Sequence, residues 1–249
     1  MSNSIMSKFE VIERMVHEVA ASNCPSLIIS GPAGVGKTFT VLKALQHYMS
    51  SIAPLLGTDV RYDSLSGTMT PINLYKKLYT NRHKGAVLIL DDMDSVFSNE
   101  ASLNLLKAAL DLNDNKSIGY FSESHVLNRE HIPNEFIFQG SVIFLTNIDF
   151  KDGPKSLKPH LSALLSRSHY IDLGLRSPAE MMAWIVKTIN ETPILDDLSD
   201  EDRQDLMAFM ITNQDSLNEL SLRMVKKLAS LSKMGPGWQE VATVTCLAD

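Results

Sequence analysis

The chain has 249 residues, 44% of them hydrophobic and 21% charged, with a net charge of −6. That length suits one large domain or two small ones, with a core that needs no covalent staples. The balance excludes a collagen-like, low-complexity or wholly disordered chain and a generally basic nucleic-acid coat protein, but not a local basic patch.

In chain order, Phe9, Ile12, Met15, Val16 and Val19 recur at helical spacing, so residues 7–21 read as an amphipathic helix. SLIIS at 26–30 is a short apolar run ending at Gly31, the pattern of a buried strand. A helix follows over 37–50, with Val41, Leu42 and Leu45 on one face, and then a strand over 60–63. Pro71 opens a helix that runs to about residue 81. AVLIL at 86–90 is a third strand, and Ser98 or Asn99 caps a helix reaching about residue 112. SVIFLT at 141–146 is another strand, 158–166 a helix, and 170–173 a last strand. Continuous apolar strands alternating with helices predict an α/β fold with a parallel sheet covered on both faces. Beyond Ser177-Pro178 helical periodicity takes over to about residue 233, so a boundary is expected near 175; Gly235-Pro236-Gly237 then breaks the last long helix. Cys24 and Cys246 stand far apart, without zinc spacing, which points to a reducing compartment, with Cys24 a small buried hydrophobe. No signal core and no apolar run near the roughly 18 residues of a membrane span are present, so a soluble, cytoplasmic protein is expected.

Residues 31–38 read Gly31-Pro32-Ala33-Gly34-Val35-Gly36-Lys37-Thr38, the G-x-x-x-x-G-K-T phosphate loop known as Walker A. Glycines let backbone N–H groups turn inward around phosphate oxygens, and the helix opening near Lys37 aims its dipole at the same anion. Lys37 is expected to reach the β- and γ-phosphates of ATP, and the Thr38 hydroxyl to ligate Mg2+. Residues Pro32 to Phe39 form the expected nucleotide-binding segment. The run Val87-Leu88-Ile89-Leu90 delivers Asp91-Asp92-Met93-Asp94 at a strand end, the Walker B arrangement. Asp91 is expected to hold the metal, and Asp92 to act as the base that polarises the attacking water.

With these two motifs the chain resembles an AAA+ ATPase, over about residues 5–232. The resemblance implies a P-loop α/β core over 1–175 and a helical lid with a C-terminal tail over 176–249. That family usually has Asp-Glu at Walker B; here the second acid, Asp92, is one methylene shorter. Asn147, ending VIFLTN, is similar to the sensor 1 residue that orients the water. Arg167, ending LSALLSR, is similar to the arginine finger that enters a neighbouring subunit's ATP site; its alternative is a helix-end arginine favoured by the dipole. Arg223 resembles the sensor 2 arginine that points to the γ-phosphate, with an exposed basic face beside Lys226 and Lys227 as the alternative. A trans-acting arginine implies head-to-tail contacts between copies, hence a homo-oligomer, a hexamer by resemblance.

Between Walker B and sensor 1, residues 118–121 and 136–138 are β-like and flank 122–135, which reads as an inserted hairpin over 118–138. IPNEFIFQGSVIFLTN resembles the matching region of viral superfamily 3 helicases, where basic tip residues touch DNA, and a compact module with such a hairpin is similar to phage-type ATPases. Arg129 and His131, with His125, are the candidates, although Glu123, Glu130 and Glu135 share the tip. A surface hairpin that packs on a neighbour is the alternative. Residues 64–74 lack the aromatic-hydrophobic-Gly pore loop of protein unfoldases. Two functions stay open: a helicase-like or loader-like motor on DNA, and a slow ATP-gated assembly or adaptor protein acting on a protein partner. A small-molecule kinase fits poorly, having no need of Asn147, Arg167 and a helical lid together.

Overall fold

The computed structural model describes residues 5–113, 116–121, 125–150, 158–175 and 177–248. The chain divides into two compact units: Met1–Gly31 with Lys37–Leu173, and Gly174–Asp249 with Pro32–Gly36.

The first unit opens with α1 (Ile5–Ala20), β1 (Ser26–Ser30) and α2 (Lys37–His47). A π-helical turn at Tyr48–Ile52 leads into the short α3 (Ala53–Leu56). The helical run thus outlasts its expected end at residue 50. Pro54 lies in the first turn of α3, where its missing N–H costs no hydrogen bond, and Gly57 at φ 64° closes the segment. Next come β2 (Arg61–Ser66), α4 (Pro71–Thr80), β3 (Ala86–Asp91) and, after a 3₁₀ turn, α5 (Glu100–Ala109). The cap of α5 is Asn99, whose side chain accepts from the Ser102 N–H. Then follow β4 (Ser117–Gly119), α6 (His125–Arg129), β5 (Glu135–Ile137), β6 (Ser141–Thr146), α7 (Lys158–Leu165) and β7 (His169–Asp172).

Five parallel strands form one sheet in the order β2-β3-β6-β1-β7. The three central strands, β3, β6 and β1, are the three apolar runs, and their side chains are buried on both faces except at Asp91. Alternation divides them: Ile28, Leu88, Leu90, Val142 and Phe144 join one core with α4, α5 and α7. On α1, Phe9, Ile12, Val16 and Val19 are buried, and α1 packs on α2, β1, β3 and β6. Edge strand β2 runs to Ser66, three residues beyond expectation, because it pairs with β3 along its length from Arg61↔Ala86 to Ser66↔Asp91.

In the insertion, β4 and β5 pair antiparallel with Ile118 opposite Phe136. They are not joined by a plain hairpin tip: α6 lies between them, and 122–124, including Glu123, fall outside the described residues.

The second unit is helical: α8 (Pro178–Glu191), α9 (Asp200–Thr212), α10 (Leu222–Ser232) and α11 (Trp238–Cys246). Each of the first three is capped by the serine before it, and at Ser177 the Glu180 side chain completes a capping box. The tilted rings of Phe209 and Trp238 meet at 5.4 Å between centroids, and the tail is tied by Leu217↔Leu247 bridging and by Asn218 N–H donating to Cys246 O. Among the described residues no helix is long and apolar enough to cross a membrane.

Candidate nucleotide site

In a parallel sheet the carboxyl ends of the strands lie together, and the strand order decides which residues meet there. β6 sits between β1 and β3, with Ser30↔Thr146 and Asp91↔Leu145 in register. Asn147, the residue after β6, therefore emerges between the end of β1, which leads to Lys37, and the end of β3, which leads to Asp92.

The side chains complete this arrangement. Lys37 Nζ donates to Gly31 O at 2.6 Å and to Asn147 Oδ1 at 2.8 Å. Asn147 Nδ2 donates to Asp92 Oδ1 at 2.8 Å. An ammonium can only donate and a carboxylate only accept, so the two partners fix which way the Asn147 amide faces. Thr38 Oγ1 donates to Asp91 Oδ2 at 2.7 Å. Lys37 is buried, Thr38, Asp91 and Asp94 are half-buried, and Asp92 and Asn147 are exposed.

Asn147 is held from both directions. Ile148 N–H donates to Thr146 Oγ1 at 3.0 Å, and Ser30 Oγ donates to Ile148 O at 2.8 Å. Thr146 Oγ1 in turn donates to Asp94 Oδ1 at 2.6 Å. Burial, countered by that bond, leaves the Asp94 carboxyl raised above its usual range. Asp92 sits at φ 55°, a left-handed conformation that costs a non-glycine residue about 1 kcal/mol. Its N–H donates to Leu145 O at 2.9 Å, and the Asn147 bond adds a second restraint; two such bonds, at about 1 kcal/mol each, offset the strain.

In the second unit, the phosphate-loop turn Pro32–Gly36 packs with the helices. Gly34 and Gly36 adopt φ 71° and 97°. Leu222 N–H donates to Gly34 O at 2.9 Å, and Trp184 Nε1 donates to Val35 O at 3.1 Å. A Cβ on Gly34 would lie 2.7 Å from Ser221 Cβ and 3.5 Å from Arg223 Cγ, so the Arg223 stem lies against the loop.

The remaining expected residues are placed differently. Phe39 is 62% exposed on α2. Arg167 Nη1 donates to Ala163 O at 2.8 Å, capping the end of its own helix. Arg129 ends α6, and Arg129 and His131 are exposed on either side of Glu130, which pairs with Lys76.

The sequence pattern of the family described as ATPase family associated with various cellular activities (AAA) matches residues 27–147. That span runs from β1 through Asn147 and so contains Lys37, Thr38, Asp91, Asp92 and Asn147. The chain belongs to the AAA+ P-loop ATPases. It is 37% identical, over 98% of its length and 74% of the relative's, to an uncharacterised 36.7 kDa protein of the nrdC–mobD intergenic region of Enterobacteria phage T4. The fold is similar to that of the Aeropyrum pernix ORC2 protein in its ADP form (TM-score 0.51, 13% identity, 96% of this chain and 64% of that one). It is also similar to Aeropyrum pernix ORC1 in complex with DNA (TM-score 0.50, 13% identity, 92% and 61%). This AAA+ membership implies nucleotide binding.

Sequence reasoning missed Thr146, Asp94, Trp184 and Ser221. Ser221 is readable as a helix cap, but nothing in its spacing announces Gly34 as its neighbour. Trp184 looks like any apolar helix residue until its indole N–H finds a partner.

Proposed function

We propose that this AAA+ protein binds Mg-ATP through residues 31–38 and hydrolyses it, with Asp92 as the base. The observation that carries this is the chain Lys37–Asn147–Asp92 beside the Thr38–Asp91 pair. The residues fit the ligand. Two left-handed glycines open a cradle for phosphate oxygens, and a hydroxyl and a carboxylate already 2.7 Å apart are hard oxygen ligands suited to Mg2+. Bound there, Mg2+ supplies charge neutralisation for the phosphate oxygens. Lys37 adds positive charge at the transferred phosphoryl group. Asp92 takes the proton of the attacking water, and Asn147 holds the carboxylate in place while its amide links the base to Lys37.

We further assign the chain to a homo-oligomer, a hexamer by resemblance, in which Arg167 leaves its helix end and stabilises the transition state in a neighbouring copy. DNA is the proposed substrate, met by the exposed Arg129 and His131. The slower, partner-directed switch is the second reading, favoured by the short side chain of Asp92 and its bond to Asn147.

Steady-state hydrolysis with and without single- and double-stranded DNA tests this, alongside equilibrium dialysis of ATP. Lys37→Ala should abolish binding, and Asp92→Asn should keep binding and lose about 100-fold or more in turnover. Unchanged turnover in Asp92→Asn removes it as the base. Turnover indifferent to DNA moves the protein to the switch reading.

A further inference from the structure

Within the helical unit, two hydrogen bonds from its helices to the phosphate loop end on main-chain carbonyls. The donors are Leu222 N–H, to Gly34 O, and Trp184 Nε1, to Val35 O. In a planar trans peptide the C=O and the N–H of the following residue point to opposite sides. Holding Gly34 O toward α10 therefore turns Val35 N–H the other way, and holding Val35 O toward α8 does the same for Gly36 N–H. These amides belong to the loop that presents N–H groups to phosphate.

We propose that Trp184 is a positioning residue for phosphate binding: its indole fixes the orientation of the Val35–Gly36 peptide and so aims the Gly36 N–H at the nucleotide. This rests on the ATP-binding reading above. Two features make the indole the deciding group. Gly36 at φ 97° imposes no steric barrier of its own against a flip of that peptide. Val35 and Trp184 are 1% and 7% exposed, so water is a poor substitute donor for the carbonyl. Ser221 supports the same turn from beside Gly34, where its Cβ leaves no room for a side chain.

The test compares wild type, Trp184→Phe and Trp238→Phe. Dissociation constants for Mg-ADP and Mg-ATP are measured by equilibrium dialysis, and thermal midpoints without nucleotide. Trp184→Phe keeps an aromatic ring and loses the donor; it should weaken both nucleotides about five- to tenfold, while Trp238→Phe matches wild type. A lowered midpoint with unchanged affinity means that Trp184 only packs, and overturns the proposal. Should Trp184→Phe fail to fold, the Trp238→Phe protein retains Trp184 as its single tryptophan, and its emission should change on titration with Mg-ADP. Flat emission while dialysis shows binding overturns the proposal alone. Absence of binding to wild type overturns the ATP-binding reading, and this inference with it.

Discussion

Asp91, Asp92 and Asp94 follow one another at the end of β3, and each meets different surroundings. Asp91 accepts from a hydroxyl, Asp92 from an amide in a left-handed turn, and Asp94 from Thr146 while half out of water. The raised Asp94 carboxyl has a stability consequence. Its folded value lies above its unfolded value, so the folded state holds the extra proton in the window between them. Stability then falls as pH rises through that window, and the full penalty is present above it. Asp94→Asn keeps an acceptor for Thr146 and removes the charge. The variant should melt higher than wild type at neutral pH, with the difference vanishing as pH falls below the usual carboxylate range. A pH series of thermal melts checks this, and a variant that melts lower at pH 7 contradicts it. Asp91 and Asp92 are legible in the sequence because a strand run leads straight to them. Asp94 is not, since its partner Thr146 lies on another strand.

At the scale of elements, the insertion is fastened to α4 by Tyr75. Its ring lies among Tyr120 and Phe136, its hydroxyl donates to Pro133 O at 2.7 Å, and burial pushes its pKa up to about 12. Tyr75→Phe keeps the ring contacts and leaves the Pro133 carbonyl without this donor. It should cost about 1 kcal/mol, with amide exchange accelerating first in β4 and β5. Acceleration spread evenly over the central sheet would count against Tyr75 as the local fastener. The central strands and most helices are readable because a run buried on both faces, or a 3.6-residue period, leaves a plain apolar pattern. The edge strand β2 shows less of itself, since none of its residues is fully buried and its sequence RYDSLS carries no apolar run. The turn from α2 through the π-helical segment into α3 is hidden by Pro54, which reads as a stop in sequence and serves as a start in structure.

At the scale of the molecule, Arg167 is the proposed link between copies of the chain. Its Nη1 donates to Ala163 O and to Ser166 Oγ at the end of its own helix. The half-buried bond to one carbonyl is a modest hold against a phosphate. If assembly draws Arg167 into a neighbour's site, turnover per chain should rise with protein concentration. Arg167→Ala should then lower the plateau about 1,000-fold with nucleotide binding intact. A flat concentration dependence, or an Arg167→Ala plateau equal to wild type, removes the trans role. The arginine's position at the end of LSALLSR is legible in sequence, but its environment is not.

The closeness of Gly34 to Ser221 has a bearing on how this sequence can drift. The two positions lie at opposite ends of the chain, yet a Cβ added at 34 would stand 2.7 Å from the Ser221 Cβ. At φ 71° residue 34 already disfavours any side chain, and Ser221 fills the space as well. A mutation that enlarges residue 221 presses on the phosphate loop as well as disturbing the helix it caps. The phosphate loop in this chain therefore has supports beyond its eight contiguous letters: Ser221 beside Gly34, and Trp184 donating to Val35 O.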